Sequence, residues 1–171
     1  TGTTSAAKIV MNKLGSKTVH QYLPLDTPLF NARFLRYWKP TYAIFVESEI
    51  WPNLILQIKK MKIKLAIING RMTINSYNKW LRFKRSSELI FKSFDLCLTQ
   101  NQESSLFYNK LGISNTYYTG NLKFSSEKLE VKEDAYNELK KIFKGRKVFL
   151  AASTHPGEEK LISDLTNKIR Q

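Results

Sequence analysis

The chain's 171 residues, 42% of them apolar, can bury one good domain core or one core and part of a second, which excludes a disordered tail. Lys and Arg outnumber Asp and Glu by 28 to 14, for a formal net charge of +14, and this points to a polyanionic partner: nucleic acid, an anionic membrane surface or a phosphorylated substrate. A single cysteine, Cys97, excludes an internal disulfide, and with only His20 and His155 beside it there is no cluster for structural zinc; no metal is expected, a reducing cytoplasmic setting is, and no apolar run approaches the ~20 residues of a transmembrane helix.

The opening Thr1-Gly2-Thr3-Thr4-Ser5-Ala6-Ala7 reads as the loop and helix start that follow a strand. Ser5 is placed to cap a helix running to about Leu14, with Gly15 as its stop. There is no initiator methionine, and a helical pattern is still running at Arg170-Gln171, so the chain is expected to be a fragment. A short strand is expected over 18–22. After the Pro24-Leu25-Asp26-Thr27-Pro28 turn, Phe30, Phe34, Leu35 and Trp38 recur at helical spacing up to Lys39-Pro40 and read as core.

Tyr42-Ala43-Ile44-Phe45-Val46 is an apolar run that stops at Glu47 and Glu49 and turns into a helix, with Ser48 as its cap and Pro52 in the first turn, where proline is tolerated. In an open parallel sheet, ligands sit outside the carboxyl ends of the strands, which puts Glu47 at the ligand crevice. The plainer alternative is that Glu47 and Glu49 only favour the positive helix end, by ~0.3 to 1 kcal/mol each. Leu65-Ala66-Ile67-Ile68 is a second apolar strand, and the Asn69-Gly70-Arg71 loop puts Arg71 at the same edge. A strand over 94–98, a helix over 102–111 stopped by Gly112, and a strand over 116–119 leading into Gly120-Asn121-Leu122-Lys123 continue the alternation. The fold class is therefore α/β, a doubly wound parallel Rossmann-like sheet. A polar stretch from Ser125 to Asp134 reads as a linker feeding a helix over 135–143. Lys147-Val148-Phe149-Leu150-Ala151-Ala152 then opens a fresh strand, and Gly157-Glu158-Glu159 a fresh helix. The expected organisation is a first Rossmann-like domain over 1–124, a linker and helix over 125–146, and the first βα unit of a second Rossmann-like domain over 147–171.

Between Trp51 and Ser87 lie Lys59, Lys60, Lys62, Lys64, Arg71, Lys79, Arg82, Lys84 and Arg85 with no Asp or Glu among them. Within that span, Lys79-Trp80-Leu81-Arg82-Phe83-Lys84-Arg85 interleaves aromatics with cations. Such a segment suits a helix lying on an anionic bilayer, at about 1 kcal/mol per basic residue near the surface. It equally suits single-stranded nucleic acid, or an ordinary helix whose aromatics pack inward. Ser153, Thr154 and His155 join a strand end to a helix N-terminus, where exposed N–H groups favour a phosphate; alternatively one hydroxyl is a cap and His155 a surface residue. Lys123, beside Gly120, can neutralise developing phosphate charge or be an ordinary exposed lysine. The dinucleotide, P-loop and G-x-S-x-G serine-nucleophile signatures are absent.

Taken together, Val46-Glu47-Ser48-Glu49-Ile50-Trp51-Pro52-Asn53-Leu54, then Asn69-Gly70-Arg71, then Gly120-Asn121-Leu122-Lys123-Phe124, then Ala152-Ser153-Thr154-His155-Pro156-Gly157-Glu158-Glu159 resemble in order and spacing the 3-deoxy-D-manno-octulosonic acid (Kdo) transferases of lipopolysaccharide synthesis. His20-Gln21-Tyr22-Leu23-Pro24 and the opening Thr-rich turn share the likeness, which covers nearly the whole chain. The resemblance implies a GT-B glycosyltransferase that moves Kdo from CMP-Kdo to a phosphorylated lipid A precursor with inversion, without a cofactor. It acts at the cytoplasmic face of the inner membrane, so an anionic bilayer and no nucleic acid is the expected partner surface. It also implies that Glu47 and Lys123 are catalytic, through transition-state stabilisation. Ser5, Arg71, Ser153, Thr154 and His155 are the expected substrate-binding residues, and Lys79, Trp80, Arg82, Phe83, Lys84 and Arg85 the expected membrane or acceptor face. The family's general base, most of its CMP-binding residues and its N-terminal anchor are expected outside this sequence, so the isolated chain is expected to be inactive. The alternatives are another GT-B nucleotide-sugar enzyme and a basic nucleic-acid-binding α/β module, and against the second stands the acidic Glu47 at the ligand edge.

Overall fold

Four parallel strands, adjacent in chain order, carry the first unit: β1 (Tyr42–Val46), β2 (Lys64–Gly70), β3 (Leu96–Thr99) and β4 (Thr116–Tyr118). The computed structural model describes residues 3–15, 17–125 and 131–169, and the chain divides into the units Thr1–Ser126 and Glu127–Gln171. Register runs from Tyr42 opposite Lys64 to Val46 opposite Ile68, then Ile67 opposite Cys97, then Cys97 opposite Thr116. The β2–β3 register shifts between Ile67 and Gly70, at the carboxyl edge where the loops diverge.

Parallel neighbours need helical crossovers. Here they are α3 (Pro52–Lys60) after β1, α4 (Ile74–Leu81) and α5 (Lys84–Phe91) after β2, and α6 (Gln102–Leu111) after β3, while α1 (Thr4–Lys13) and α2 (Pro28–Trp38) precede the sheet. Helices α3, α5 and α6 touch in succession and share one core with the sheet: Leu54, Ile55 and Ile58 from α3, Ile90 and Phe91 from α5, Phe107, Tyr108 and Leu111 from α6, over Phe45, Leu65, Ile67 and Cys97. Burial alternates along the strands, so one face of the sheet is covered, whereas Tyr42, Ile44 and Val46 on the other are exposed. The strands thus form an α/β, Rossmann-like parallel sheet, and within the first unit α3, α5 and α6 cover one of its faces.

Most boundaries follow local chemistry. Thr27 caps α2 and Pro28 opens it; Asn101 caps α6, and Gly112, at φ 118, ends it. Helix α3 departs from expectation: its N-cap is Trp51, with no side-chain cap bond, and Ser48 Oγ donates instead to the Arg71 carbonyl at 2.8 Å. The cap comes from Asp26, whose carboxylate accepts from the backbone N–H groups of Asn53 (3.1 Å) and Leu54 (2.8 Å). Ser5 lies inside the first turn of α1 rather than ahead of it. Segment 18–22 carries no strand; a strand exists only where a neighbour completes its ladder, and the sheet begins at β1.

The second unit holds α7 (Glu133–Ile142) and α8 (Glu158–Ile169). Glu133 and Asp134 stand in the first turn of α7, where carboxylates are favoured. Residues 147–152 form no strand, because among the described residues of this unit no other segment is a strand for them to pair with. The expected linker partly coincides with 126–130, outside the described residues.

Candidate active site

The carboxyl edge of the sheet gathers three loops: Glu47 to Trp51 after β1, Asn69 to Thr73 spanning the end of β2 and the turn beyond it, and Thr119 to Lys123 after β4. Both Glu47 (φ 59) and Asn69 (φ 51) are left-handed, a conformation that costs a non-glycine residue about 1 to 3 kcal/mol and persists only when the surroundings enforce it. The Glu47 N–H donates to Ile68 O at 3.0 Å and its carbonyl accepts from Arg71 N–H at 3.4 Å. Asn69 is buried, and its side-chain oxygen accepts from Leu122 N–H at 3.2 Å, tying the third loop to the second. Asn121 Oδ1 accepts from Lys123 N–H at 3.0 Å inside the 3-10 turn Leu122–Ser125.

The result is a meeting of the two residues singled out as catalytic. Lys123 Nζ lies 3.4 Å from Glu47 Oε1, with the side chains 75% and 45% exposed. An exposed pair of this kind adds about 0 to 1 kcal/mol to stability, so stability does not explain a strained backbone beneath it. Chemically, the pair offers an anion and a cation within one substrate's reach, held on three strand ends. Arg71 is exposed at the same edge. Glu49 accepts from Trp51 Nε1 at 2.7 Å, so it serves the loop's own geometry.

Two residues that sequence reasoning missed stand behind this edge. Tyr108, fully buried on α6, places its hydroxyl 3.2 Å from Arg71 O and 3.4 Å from Glu47 O. Burial pushes its phenol well above the ordinary value, which keeps it a donor. One turn earlier, Ser104 Oγ accepts from Met72 N–H at 2.9 Å and lies 3.3 Å from Met72 O. The only legible hint was the i, i+4 spacing of Ser104 and Tyr108, which puts both on one helix face. Cys97 is no candidate nucleophile, because burial pushes its thiol up to about 12. Among the described residues no group of three or more His, Cys, Asp or Glu side chains is placed to hold a metal.

The remaining predicted residues are placed as follows. Ser5 is exposed on α1. The basic segment is two helices broken at Arg82 and Phe83, with Ser87 Oγ lying 3.0 Å from the carbonyls of Trp80, Phe83 and Lys84. Trp80 turns inward, edge-on to Phe91 at 5.2 Å, whereas Phe83 is 69% exposed among the exposed Lys79, Arg82, Lys84 and Arg85. No described helix is long and apolar enough to cross a membrane. In the second unit, Ser153 is left-handed (φ 57), Thr154 Oγ1 donates to Glu159 Oε1 at 2.7 Å, and His155 N–H donates to Glu158 Oε2 at 2.9 Å. The Thr154 hydroxyl, first among the causes, holds the Glu159 carboxyl below its ordinary value. The helix start is thus partly occupied by the chain's own carboxylates.

Comparison with known proteins identifies the family of the chain. A family model described as 3-deoxy-D-manno-octulosonic-acid transferase (kdotransferase) matches residues 1–126, the stretch that holds all three loops. The chain is 38% identical over 169 residues to the 3-deoxy-D-manno-octulosonic acid transferase of Rickettsia prowazekii (strain Madrid E), covering 99% of this chain and 36% of that protein. For the Rickettsia bellii (strain RML369-C) protein of the same name, identity is 38% over 99% of this chain and 40% of the relative. For that of Haemophilus influenzae it is 32% over 95% and 39%. The chain therefore spans well under half the length of these relatives. With a matching first unit and relatives of one name along nearly its whole length, the chain belongs to the 3-deoxy-D-manno-octulosonic acid transferase family.

Proposed function

We propose that the chain is the acceptor-side domain, with the start of the donor-side domain, of a glycosyltransferase that moves Kdo from CMP-Kdo to a phosphorylated lipid A precursor with inversion. The single observation that supports this best is the 3.4 Å approach of Lys123 Nζ to Glu47 Oε1 at the carboxyl edge of the sheet. In this reading Lys123 stabilises the departing CMP phosphate as negative charge builds on it. Glu47 holds an acceptor hydroxyl or balances oxocarbenium-like charge, and the pairing keeps each poised until substrate separates them. Arg71, at the same edge, offers a guanidinium for a phosphate or carboxylate. Ser5 is a further polar contact from α1. Within the second unit, Ser153, Thr154 and His155 bind a phosphate of the nucleotide by themselves, and that phosphate has to displace Glu158 and Glu159. The exposed cations around Phe83 meet the anionic cytoplasmic face of the inner membrane, where the acceptor resides, and nucleic acid is not a partner.

The test is Kdo transfer by the full-length enzyme, followed by mass spectrometry of the lipid product with CMP-Kdo as donor. Glu47→Gln and Lys123→Ala are each expected to lower turnover by about a hundredfold or more, the scale of losing one transition-state contact. Turnover within a few-fold of wild type in either variant would sink its assignment. Product formed with a UDP-sugar and not with CMP-Kdo would replace the donor.

A further inference from the structure

Glu47 has an uncommon backbone conformation for its residue type, and what enforces it is visible. Its N–H is fixed on Ile68 O at 3.0 Å and its carbonyl receives Arg71 N–H at 3.4 Å, but both bonds lie at the rim of the sheet, between the loop after β1 and the end of β2. The element that reaches this region from the core is α6. The Tyr108 hydroxyl has one proton to share between two carbonyls, at 3.2 Å (Arg71) and 3.4 Å (Glu47). The ring below it is packed into the core: Tyr108 is fully buried, tilted against Phe91 at 6.0 Å between centroids. It also passes so close to Gly70 that a Cβ there would sit 3.1 Å from Tyr108 Cε2. From the solvent side, Ser48 Oγ donates to the same Arg71 carbonyl at 2.8 Å. Arg71 O is therefore held from both directions, and Glu47 O is held by the loop and by the core.

We propose that Tyr108, assisted by Ser48, is a positioning residue that fixes the Glu47 and Arg71 backbones and so sets where the Glu47 carboxylate meets Lys123. The proposal rests on the transferase reading of Glu47. A phenol suits the task because its aromatic body anchors in the core while its one polar atom reaches the loop. Removing only the hydroxyl leaves the packing in place, and the strained residue then loses one of the contacts that hold it. Small displacements of a reacting group are expensive in rate, since alignment of the reacting groups carries much of an enzyme's advantage.

In the full-length enzyme, Tyr108→Phe is expected to lower kcat by about tenfold or more while KM changes by less than about threefold. Ile58→Val, a core truncation in α3, is the control: at a matched loss of melting temperature its kcat stays at the wild-type value. Ser48→Ala, exposed and outside the core, is expected to lower kcat about threefold or more in the same sense. A Tyr108→Phe enzyme with wild-type kcat, or a control that loses as much kcat as Tyr108→Phe, overturns the proposal. If Tyr108→Phe does not fold, Ser48→Ala decides, and wild-type kcat in that variant overturns it equally. Wild-type transfer and its loss in Glu47→Gln test the underlying reading separately, so the two failures are told apart.

Discussion

Five described non-glycine residues adopt positive φ: Lys39, Glu47, Lys62, Asn69 and Ser153. Lys39 is the C-cap of α2, with its N–H on Leu35 O, and Lys62 follows the C-cap of α3, so helix termination accounts for both. Asn tolerates the left-handed region better than most residues, and Asn69 also holds Leu122. Glu47 has no such excuse, because it ends a strand and its side chain is spent on an exposed pair. Strain at this position is what the proposed catalytic role of Glu47 leads us to expect, and substitution can read it. Glu47→Gly removes the clash and stays within about 1 kcal/mol of wild-type stability, whereas Glu47→Val, β-branched at φ 59, loses about 2 kcal/mol or more. Urea unfolding midpoints check this; equal stability for the two variants would mean that the backbone is unstrained there. The sequence showed Glu47 and Lys123 as polar residues at strand ends and in one family's order. It did not show that they touch, because 76 positions separate them (123 minus 47) and the contact depends on how β1 and β4 are placed.

At the scale of elements, what local chemistry dictates was legible and what distant partners dictate was not. The strands at 42–46 and 65–68 announce themselves as continuous apolar runs, and α6 by its cap and its glycine stop. Strands are also expected over 18–22 and, from the same apolar signal, over 147–152, but a strand is completed by a neighbour that local sequence does not name. The α3 cap was missed for a related reason: Asp26 acts from 27 residues away, so no spacing rule finds it. Asp26 also accepts from Asn31 Nδ2 at 2.8 Å, so one carboxylate links α2 to the start of α3. Asp26→Ala is expected to destabilise the first unit by about 2 kcal/mol, at the upper end for loss of a cap, as read by thermal unfolding; a loss under about 0.5 kcal/mol would show that water replaces the carboxylate. Asp95 plays a similar part for β2. Its carboxylate accepts from Leu65 N–H at 2.9 Å and pairs with Lys64 at 3.4 Å. The Leu65 bond, the largest influence, holds its pKa below the ordinary 3.8 against burial, the next largest, and Lys64 adds to the lowering. A depressed folded-state pKa gives stability that is present above the unfolded value and lost as pH falls through the folded one. Asp95→Ala should therefore be less stable than wild type at pH 7, with the gap closing as pH falls below 3.8. A gap that is constant with pH would remove the carboxylate's charge from the account.

Across the whole molecule, a net charge of +14 is expensive to keep without a counter-surface, since like charges repel in the folded state. Its distribution is informative. Residues 50–87 contain no acidic side chain, and the following Glu88 is already engaged by Lys92 at 3.4 Å. Around the break between α4 and α5, four exposed cations, Lys79, Arg82, Lys84 and Arg85, lie close in sequence to the exposed Phe83. The inward turn of Trp80 leaves Phe83, with Leu81 at 43% exposure, as the apolar part of this patch. A nucleic-acid stacking platform wants several aromatic faces in a groove, whereas one exposed phenylalanine in a basic segment suits insertion between anionic headgroups. In sedimentation with phosphatidylglycerol-containing vesicles the full-length enzyme is expected to bind at low salt, to release as salt rises, and not to bind pure phosphatidylcholine. With each basic residue contributing about 1 kcal/mol near the surface, the Arg82→Glu, Lys84→Glu, Arg85→Glu variant should bind at least about a hundredfold more weakly. Phe83→Ala should weaken binding while leaving its salt dependence intact, because it removes burial and no charge. Undiminished binding by the charge-reversed variant would place the membrane contact elsewhere on the protein, and preferential binding to single-stranded RNA over vesicles would reassign the patch altogether.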